Sequence, residues 1–327
     1  MGMNIDILCA CANIAPSHLQ KKPSMPELIA LGEPMFELNQ TQGRDYLPGF
    51  GGDTSNAIIA AARQGAKCGY LTAIGADRFG RDFLDLWARE GVDTTHVMVN
   101  PQAPTAVYFV HHGPQGHEFS YLRAGSAASL YGPQDVPVQA IEAARCLHVS
   151  GISQAISHRA ADAVFCAMDA ARAAGQWVSY DTNLRLKLWP LSRARAIIHE
   201  AMKSATIALP GLDDAEQLTG LSDPDKIADF YLHLGAKIVA LTLGKAGALI
   251  ATPDQRQRVP SIAVKAVDAT GAGDTFDGAF LAEYLRCNDP FQAGRYANVA
   301  AALSTQGYGA IAPIPTRAEV EARLNRG

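Results

Sequence analysis

An acidic residue set one position past a run of nearly bare backbone can accept a proton and hold an anion at the same place. The stretch Asp268-Ala-Thr-Gly-Ala-Gly-Asp274-Thr-Phe-Asp-Gly-Ala-Phe280 has that layout. It follows strand-like Ile262 to Val267 and leads into Thr275 to Cys287, whose apolar residues recur at helical spacing, so the small residues fall at a strand-to-helix turn. Gly271, Ala272 and Gly273 carry almost no side chain, so their N–H groups can converge on a phosphate that also feels the positive end of the helix. Asp274 can then take a proton from an alcohol while those amides hold the phosphoryl group that the alcohol attacks. The structural alternative is a capping Asp beside turn glycines. The string lacks the Lys-Ser/Thr ending of a Walker A loop.

Three further strings gather polar groups. Gly49-Phe-Gly-Gly-Asp-Thr-Ser-Asn56 combines Gly51 and Gly52, which permit close backbone approach, with Asp53, Thr54 and Asn56 as donors and acceptors suited to hydroxyl groups. Asp53 or Thr54 is equally a natural N-cap for the following helix. In Tyr121-Leu-Arg123, a strand would project the ring and the guanidinium to one face, an aromatic wall beside a cation that can grip a carboxylate or hydroxyls. A solvated surface Arg is the plainer reading. Asp181-Thr-Asn183-Leu-Arg185-Leu-Lys-Leu-Trp189 begins at the C-terminal edge of a predicted strand, where open α/β sheets place ligands, although its polar groups could be loop caps.

The elements that must bring these strings together alternate regularly from Pro26 onward. Strands are predicted at Leu28 to Leu31, Gly69 to Ile74, Cys146 to Val149, Trp177 to Tyr180, Thr206 to Leu209 and Ile238 to Leu243. Helices are predicted at Thr54 to Gln64, Phe79 to Glu90, His158 to Ala174 and Phe291 to Gln306, each followed by a glycine stop. This rhythm predicts a mainly parallel sheet with helices on both faces. Two segments, near 35–50 and 105–123, instead alternate polar and apolar residues around Gln42-Gly43 and Gly113-Pro-Gln-Gly116 and read as inserted antiparallel hairpins. Residues 1–24 read as an extension, free to be disordered, ahead of a domain spanning 25–327, because Pro16, Ser17, Pro23 and Ser24 break any pattern.

Composition narrows the class. Of 327 residues, 48% are hydrophobic, ample for a large core. A net charge of −4 with no basic cluster argues against nucleic acid as a partner. The six cysteines, at 9, 11, 68, 146, 166 and 287, form no Cys-x-x-Cys pair and read as free thiols in a reducing cytoplasm. No apolar run reaches the roughly 20 residues of a membrane span, so a cytoplasmic protein is expected.

Taken in order, these strings resemble the ribokinase-like (PfkB) carbohydrate kinases over essentially Pro26 to Pro315. Asp-x-Thr-Gly-Ala-Gly-Asp-Thr-Phe is similar to that family's C-terminal signature, which implies Asp274 as the base and the 271–273 backbone as the phosphate cradle. The Gly-Gly-Asp-Thr-x-Asn string and Tyr-x-Arg-x-Gly-Ser-Ala are similar to the 2-dehydro-3-deoxygluconate kinase branch. The resemblance implies a ribokinase-like α/β fold in which the two hairpins form a β lid that often pairs with a second subunit, hence a homo-oligomer. It implies ATP with Mg2+ and a sugar acid, contacted by Gly51, Gly52, Asp53, Asn56, Tyr108, Tyr121, Arg123 and Arg185. Asn183, Thr242, Gly244, Lys245, Gly247, Thr270 and Asn298 are implied on the nucleotide side, with a monovalent cation such as K+ near Asp268, Thr270 and Ser304. Where relatives have Asn-x-x-Glu, linked to magnesium through water, this chain has Gly211 and Asp214. Asp214 and Glu216 are the candidate metal-linked carboxylates, or simply compensate a helix dipole. Fructokinases share the Asp-x-Asn-x-Arg string, so a neutral ketose is the alternative acceptor, and a non-catalytic sugar-binding relative is a further one.

Overall fold

The computed structural model describes residues 25–41, 43–113 and 116–326; the extension expected at 1–24, with Cys9 and Cys11, lies outside them. Among the described residues the strands are β1 (Leu28–Leu31), β2 (Met35–Gln40), β3 (Tyr46–Gly51), β4 (Cys68–Gly75), β5 (Val97–Asn100), β6 (Ala106–Gly113), β7 (Gly116–Leu122), β8 (Cys146–Ser150), β9 (Trp177–Asp181), β10 (Ile207–Leu209), β11 (Ile238–Thr242), β12 (Ala248–Ala251) and β13 (Arg256–Val259). The α-helices are α1 (Asp53–Arg63), α2 (Arg78–Arg89), α3 (Ala127–Leu130), α4 (Val138–Ala143), α5 (Gly151–Ala155), α6 (His158–Ala173), α7 (Leu191–Met202), α8 (Leu212–Thr219), α9 (Pro224–Leu234), α10 (Ala272–Cys287), α11 (Pro290–Ser304) and α12 (Arg317–Leu324).

The large sheet runs β13-β12-β11-β10-β9-β8-β1-β4-β5, parallel throughout except where β12 pairs with β11 and β13. Its centre is buried on both faces, which is why β1 and β4 read as continuous apolar runs. Leu28 and Ala30 enter one core with Tyr70 and Ile58, while Ile29 and Leu31 enter the other with Leu71 and Val149. One predicted strand is not formed. Ile262 to Val267 reads as strand-like, yet the amides of Val267 and Asp268 both donate to Thr305 O at the end of α11, at 2.7 and 3.1 Å. The segment is therefore an extended connection tied to a helix end, with no sheet neighbour.

Both inserted hairpins form, and together they make a separate small sheet, β3-β2-β6-β7. Parallel pairing of β2 with β6 joins them, with Glu37 opposite Tyr108, and Tyr108 lies opposite Tyr121. The reverse face packs on α2, with Phe36 4.6 Å from Phe79 and Phe50 5.0 Å from Phe83 between ring centroids. That aromatic hinge fixes the root of the small sheet above the C-terminal edge of the large one.

Candidate active site

Two helices bring the separate strings together. Helices α1 and α10 press against each other at Gly278, where an added Cβ would come within 2.0 Å of Ala57 O and 2.7 Å of Ala60 Cβ. Only a residue without a side chain allows this approach. As a result Asn56 Nδ2, early in α1, donates to Asp274 Oδ2 in the first turn of α10 at 2.7 Å, across 218 residues of sequence. The Asn56 side-chain oxygen Oδ1 is buried and accepts no hydrogen bond among the described residues.

Asp274 opens onto a cavity of about 750 Å³ lined by both sheets. Of the expected residues, Gly51, Gly52, Asp53, Asn56, Tyr108, Tyr121, Arg123, Asn183, Arg185, Asp214, Thr242, Thr270, Gly271, Gly273 and Asp274 line it. Ala272, Glu216, Gly244, Lys245, Gly247 and Asn298 are not among the lining residues. Asn298 is buried on α11, where its amide donates to Pro260 O at 2.8 Å, and Glu216 is exposed on α8.

The cradle forms at the start of α10. Gly271 is the N-cap in the left-handed region (φ 73°), and a side chain there would collide with Ala310 at about 2.9 Å. Ala272 does not offer its amide as expected, because that N–H turns back to Ala269 O at 3.2 Å. Among the described residues, no acceptor takes the amides of Gly271, Gly273 or Asp274, the free donors of a helix start. Asp268 stiffens the loop ahead of them, accepting from the Thr270 amide and hydroxyl at 2.9 and 2.7 Å and from Gly309 N at 2.9 Å.

Around Asp274 the electrostatics are dominated by carboxylates. Burial, then the charge of Asp53, pushes Asp274 up to about 7, against the pull of Asn56 and Arg185. Asp181 and Asp277, on β9 and one turn along α10, are hydrogen-bonded to each other, which two carboxyls achieve only by sharing a proton. Burial foremost, then neighbouring negative charge, holds both well above the ordinary carboxylate range. Asp53 is not the N-cap residue of α1, although its Oδ1 accepts from the first-turn amide of Thr54 at 2.8 Å. Gly52 occupies the N-cap, and Asp53 Oδ2 accepts from Asn183 Nδ2 at 2.9 Å. Asn183, expected on the nucleotide side, thus braces Asp53, from a backbone with φ 27°. Thr54 faces away from the cavity, fully buried against Tyr70 with its hydroxyl 3.0 Å from the phenol.

On the small sheet, Tyr108 donates to Glu37 and stacks 6.1 Å from Tyr121. Arg123 pairs with Glu33 and lies 5.7 Å from the Tyr121 ring centroid. Arg185 reaches the cavity from the loop after β9, held by its own bond to Leu184 O at 2.8 Å. Sequence reasoning missed Glu33, Glu37, Asp277 and Lys187. A charge two residues past a fully buried strand marks Glu33, and a carboxylate one turn past Asp274 in an apolar run marks Asp277.

Among the described residues, no group of three or more His, Cys, Asp or Glu side chains is arranged to hold a metal ion. The carboxylates fit a magnesium ion that arrives with substrate phosphates and needs only one or two protein ligands. Asp214, on the cavity wall with Oδ2 accepting from Leu184 N at 2.8 Å, is available for that, whereas Glu216 is not.

Comparison with known proteins agrees with this geometry. A 2-dehydro-3-deoxygluconokinase of Thermoproteus tenax is 36% identical over 314 residues, covering 91% of this chain and 95% of the relative. Fructokinase-1 of Zea mays is 34% identical over 285 residues, covering 84% and 88%. Among solved structures, a PfkB protein from Polaromonas sp. JS666 superposes with TM-score 0.83 at 32% identity over 91% of this chain and 99% of that one. A fructokinase from Vibrio cholerae O395, solved with fructose, ADP and calcium ion, gives 0.82 at 28% identity over 91% and 98%. The sequence matches the pfkB carbohydrate kinase family over residues 25–317, and with the parallel sheet, the small second sheet and the glycine cradle before Asp274 this chain belongs to that family.

Proposed function

We propose that this carbohydrate kinase transfers the γ-phosphoryl group of ATP to the 6-hydroxyl of 2-dehydro-3-deoxy-D-gluconate. One observation carries the reading: a carboxylate poised near pH 7 stands one residue past unspent backbone amides, in the same cavity as Arg123 and Tyr121. Asp274 takes the hydroxyl proton as O6 bonds to the γ-phosphorus. The bond from that phosphorus to the β,γ-bridging oxygen breaks, and ADP leaves with the electron pair. The amides of Gly271, Gly273 and Asp274 donate to the transferring group, where charge builds in the transition state. A magnesium ion bound with the nucleotide would neutralise phosphate charge next to Asp214. Asn56 and Asp53 offer a carbonyl and a carboxylate to acceptor hydroxyls, and Arg123 with Arg185 offers cationic donors to its carboxylate.

Resemblance of the Gly-Gly-Asp-Thr-x-Asn and Tyr-x-Arg strings, together with the Thermoproteus tenax relative, supports the sugar acid. A neutral ketose remains the second reading, favoured by the Zea mays fructokinase and by the neutralisation of Arg123 through Glu33. A panel of 2-dehydro-3-deoxygluconate, gluconate, fructose and ribose with coupled ADP detection separates them. The proposal expects the highest kcat/KM with the sugar acid; a preference for fructose would replace it, and no acceptor-dependent ADP release would leave only a sugar-binding relative.

A further inference from the structure

Glu33 is a buried charge in the cavity wall that the proposed chemistry does not use. It follows β1, lines the cavity, and its side chain has 0% exposure. Both of its oxygens are committed within the chain: Oε2 accepts from Arg123 Nη2, and Oε1 accepts from the Ser126 hydroxyl at 3.0 Å. Burial raises its carboxyl, and Arg123 and Ser126 draw it back down, with Asp53 the other charged neighbour. A carboxylate only accepts, so Glu33 offers nothing to an acceptor's own carboxylate, and its route to that group runs through its ion-pair partner Arg123. Arg123 in turn is 13% exposed, has one edge fixed on Glu33, and has a buried Nε with no partner in the described chain.

We propose that Glu33 is a positioning residue for acceptor recognition. It fixes one edge of the Arg123 guanidinium and balances its charge in the cavity wall, which leaves the remaining donors set for the acceptor's carboxylate. The inference rests on the sugar-acid reading above, and kinetics of single and paired variants distinguish the two.

If Arg123→Ala leaves the KM for the sugar acid unchanged, Arg123 is no carboxylate contact and the inference fails, while the sugar-acid reading, which also has Arg185, stands or falls on the acceptor panel. If Arg123→Ala raises that KM, Glu33 is tested by itself. Glu33→Ala is then expected to raise the sugar-acid KM about tenfold or more, the loss of a charged hydrogen bond, with the KM for ATP unchanged. The double variant is expected to match Arg123→Ala alone. Glu33→Gln, which keeps an oxygen for Arg123 but drops the charge, is expected to bring the sugar-acid KM below the native value. Additive losses, an equal rise in the KM for ATP, or no rescue by Gln would each reduce Glu33 to a structural role and overturn the inference. Should Glu33→Ala fail to fold, Glu33→Gln with and without Arg123→Ala decides the matter. A lower sugar-acid KM that is lost in the Arg123→Ala background supports the inference, and an unchanged KM or a loss independent of Arg123 refutes it.

Discussion

In the proposed mechanism Asp274 can serve as the base because its surroundings make its ionised form expensive but attainable. A carboxylate at about 7 is ionised over the upper half of the physiological range, so kcat should rise with pH through about 7 and then level off. Asn56→Ala removes a donor that favours the ionised form, and the rise should move to higher pH in a kcat profile. Stability should follow the opposite sense. The folded protein keeps a proton on Asp274 that the unfolded chain gives up near the ordinary carboxylate value of about 3.9, so thermal stability should fall as pH rises through that window and flatten above about 7. The Asp181 and Asp277 pair acts in the same direction, since burial raises both carboxyls. Asp277→Asn keeps a single negative charge on that pair. It should therefore leave the kcat profile in place while flattening the decline of melting temperature with pH; a shift of the kcat profile by a unit would mean that the pair carries two charges.

Element packing converts these residues into a site. Gly278 lets α1 and α10 touch, and Gly278→Ala forces a methyl group against the Ala57 carbonyl. Denaturant unfolding should register a loss of about 1–3 kcal/mol, the usual cost of overpacking, and kcat should drop as Asn56 is drawn away from Asp274. The parallel sheet, the two hairpins and the cradle were legible because each is written in local spacing: apolar runs, period-two alternation, glycines at a helix start. Local composition misled at Ile262 to Val267, where an apolar, β-branched run reads as a strand but its end is tied to Thr305 after α11. It also misplaced Thr54, since the same turn of α1 points Asn56 at Asp274 and Thr54 at Tyr70. Glu33 and Glu37 went unseen because their meaning lies in Arg123 and Tyr108, 90 and 71 residues away. The parallel joining of β2 to β6 was likewise a long-range pairing that no local pattern announces.

Across the whole molecule, the small sheet roofs a cavity whose floor belongs to the large one, and its outer strand leaves Phe119 and Tyr121 36% and 39% exposed. A phosphoryl group held on free amides is open to attack by water unless that roof closes over the acceptor. Amide exchange along β6 and β7 should therefore slow when sugar acid and a non-hydrolysable ATP analogue are both bound, and Phe119→Ser should raise acceptor-independent ATP hydrolysis relative to sugar phosphorylation. All of this depends on one carboxylate removing one proton. The direct test is the single-turnover rate of phosphoryl transfer by Asp274→Asn, with acceptor affinity measured on the same preparation. The account predicts a rate about 10² to 10⁴ below native, the usual contribution of a general base, with acceptor affinity preserved. A rate within a few-fold of native would contradict it.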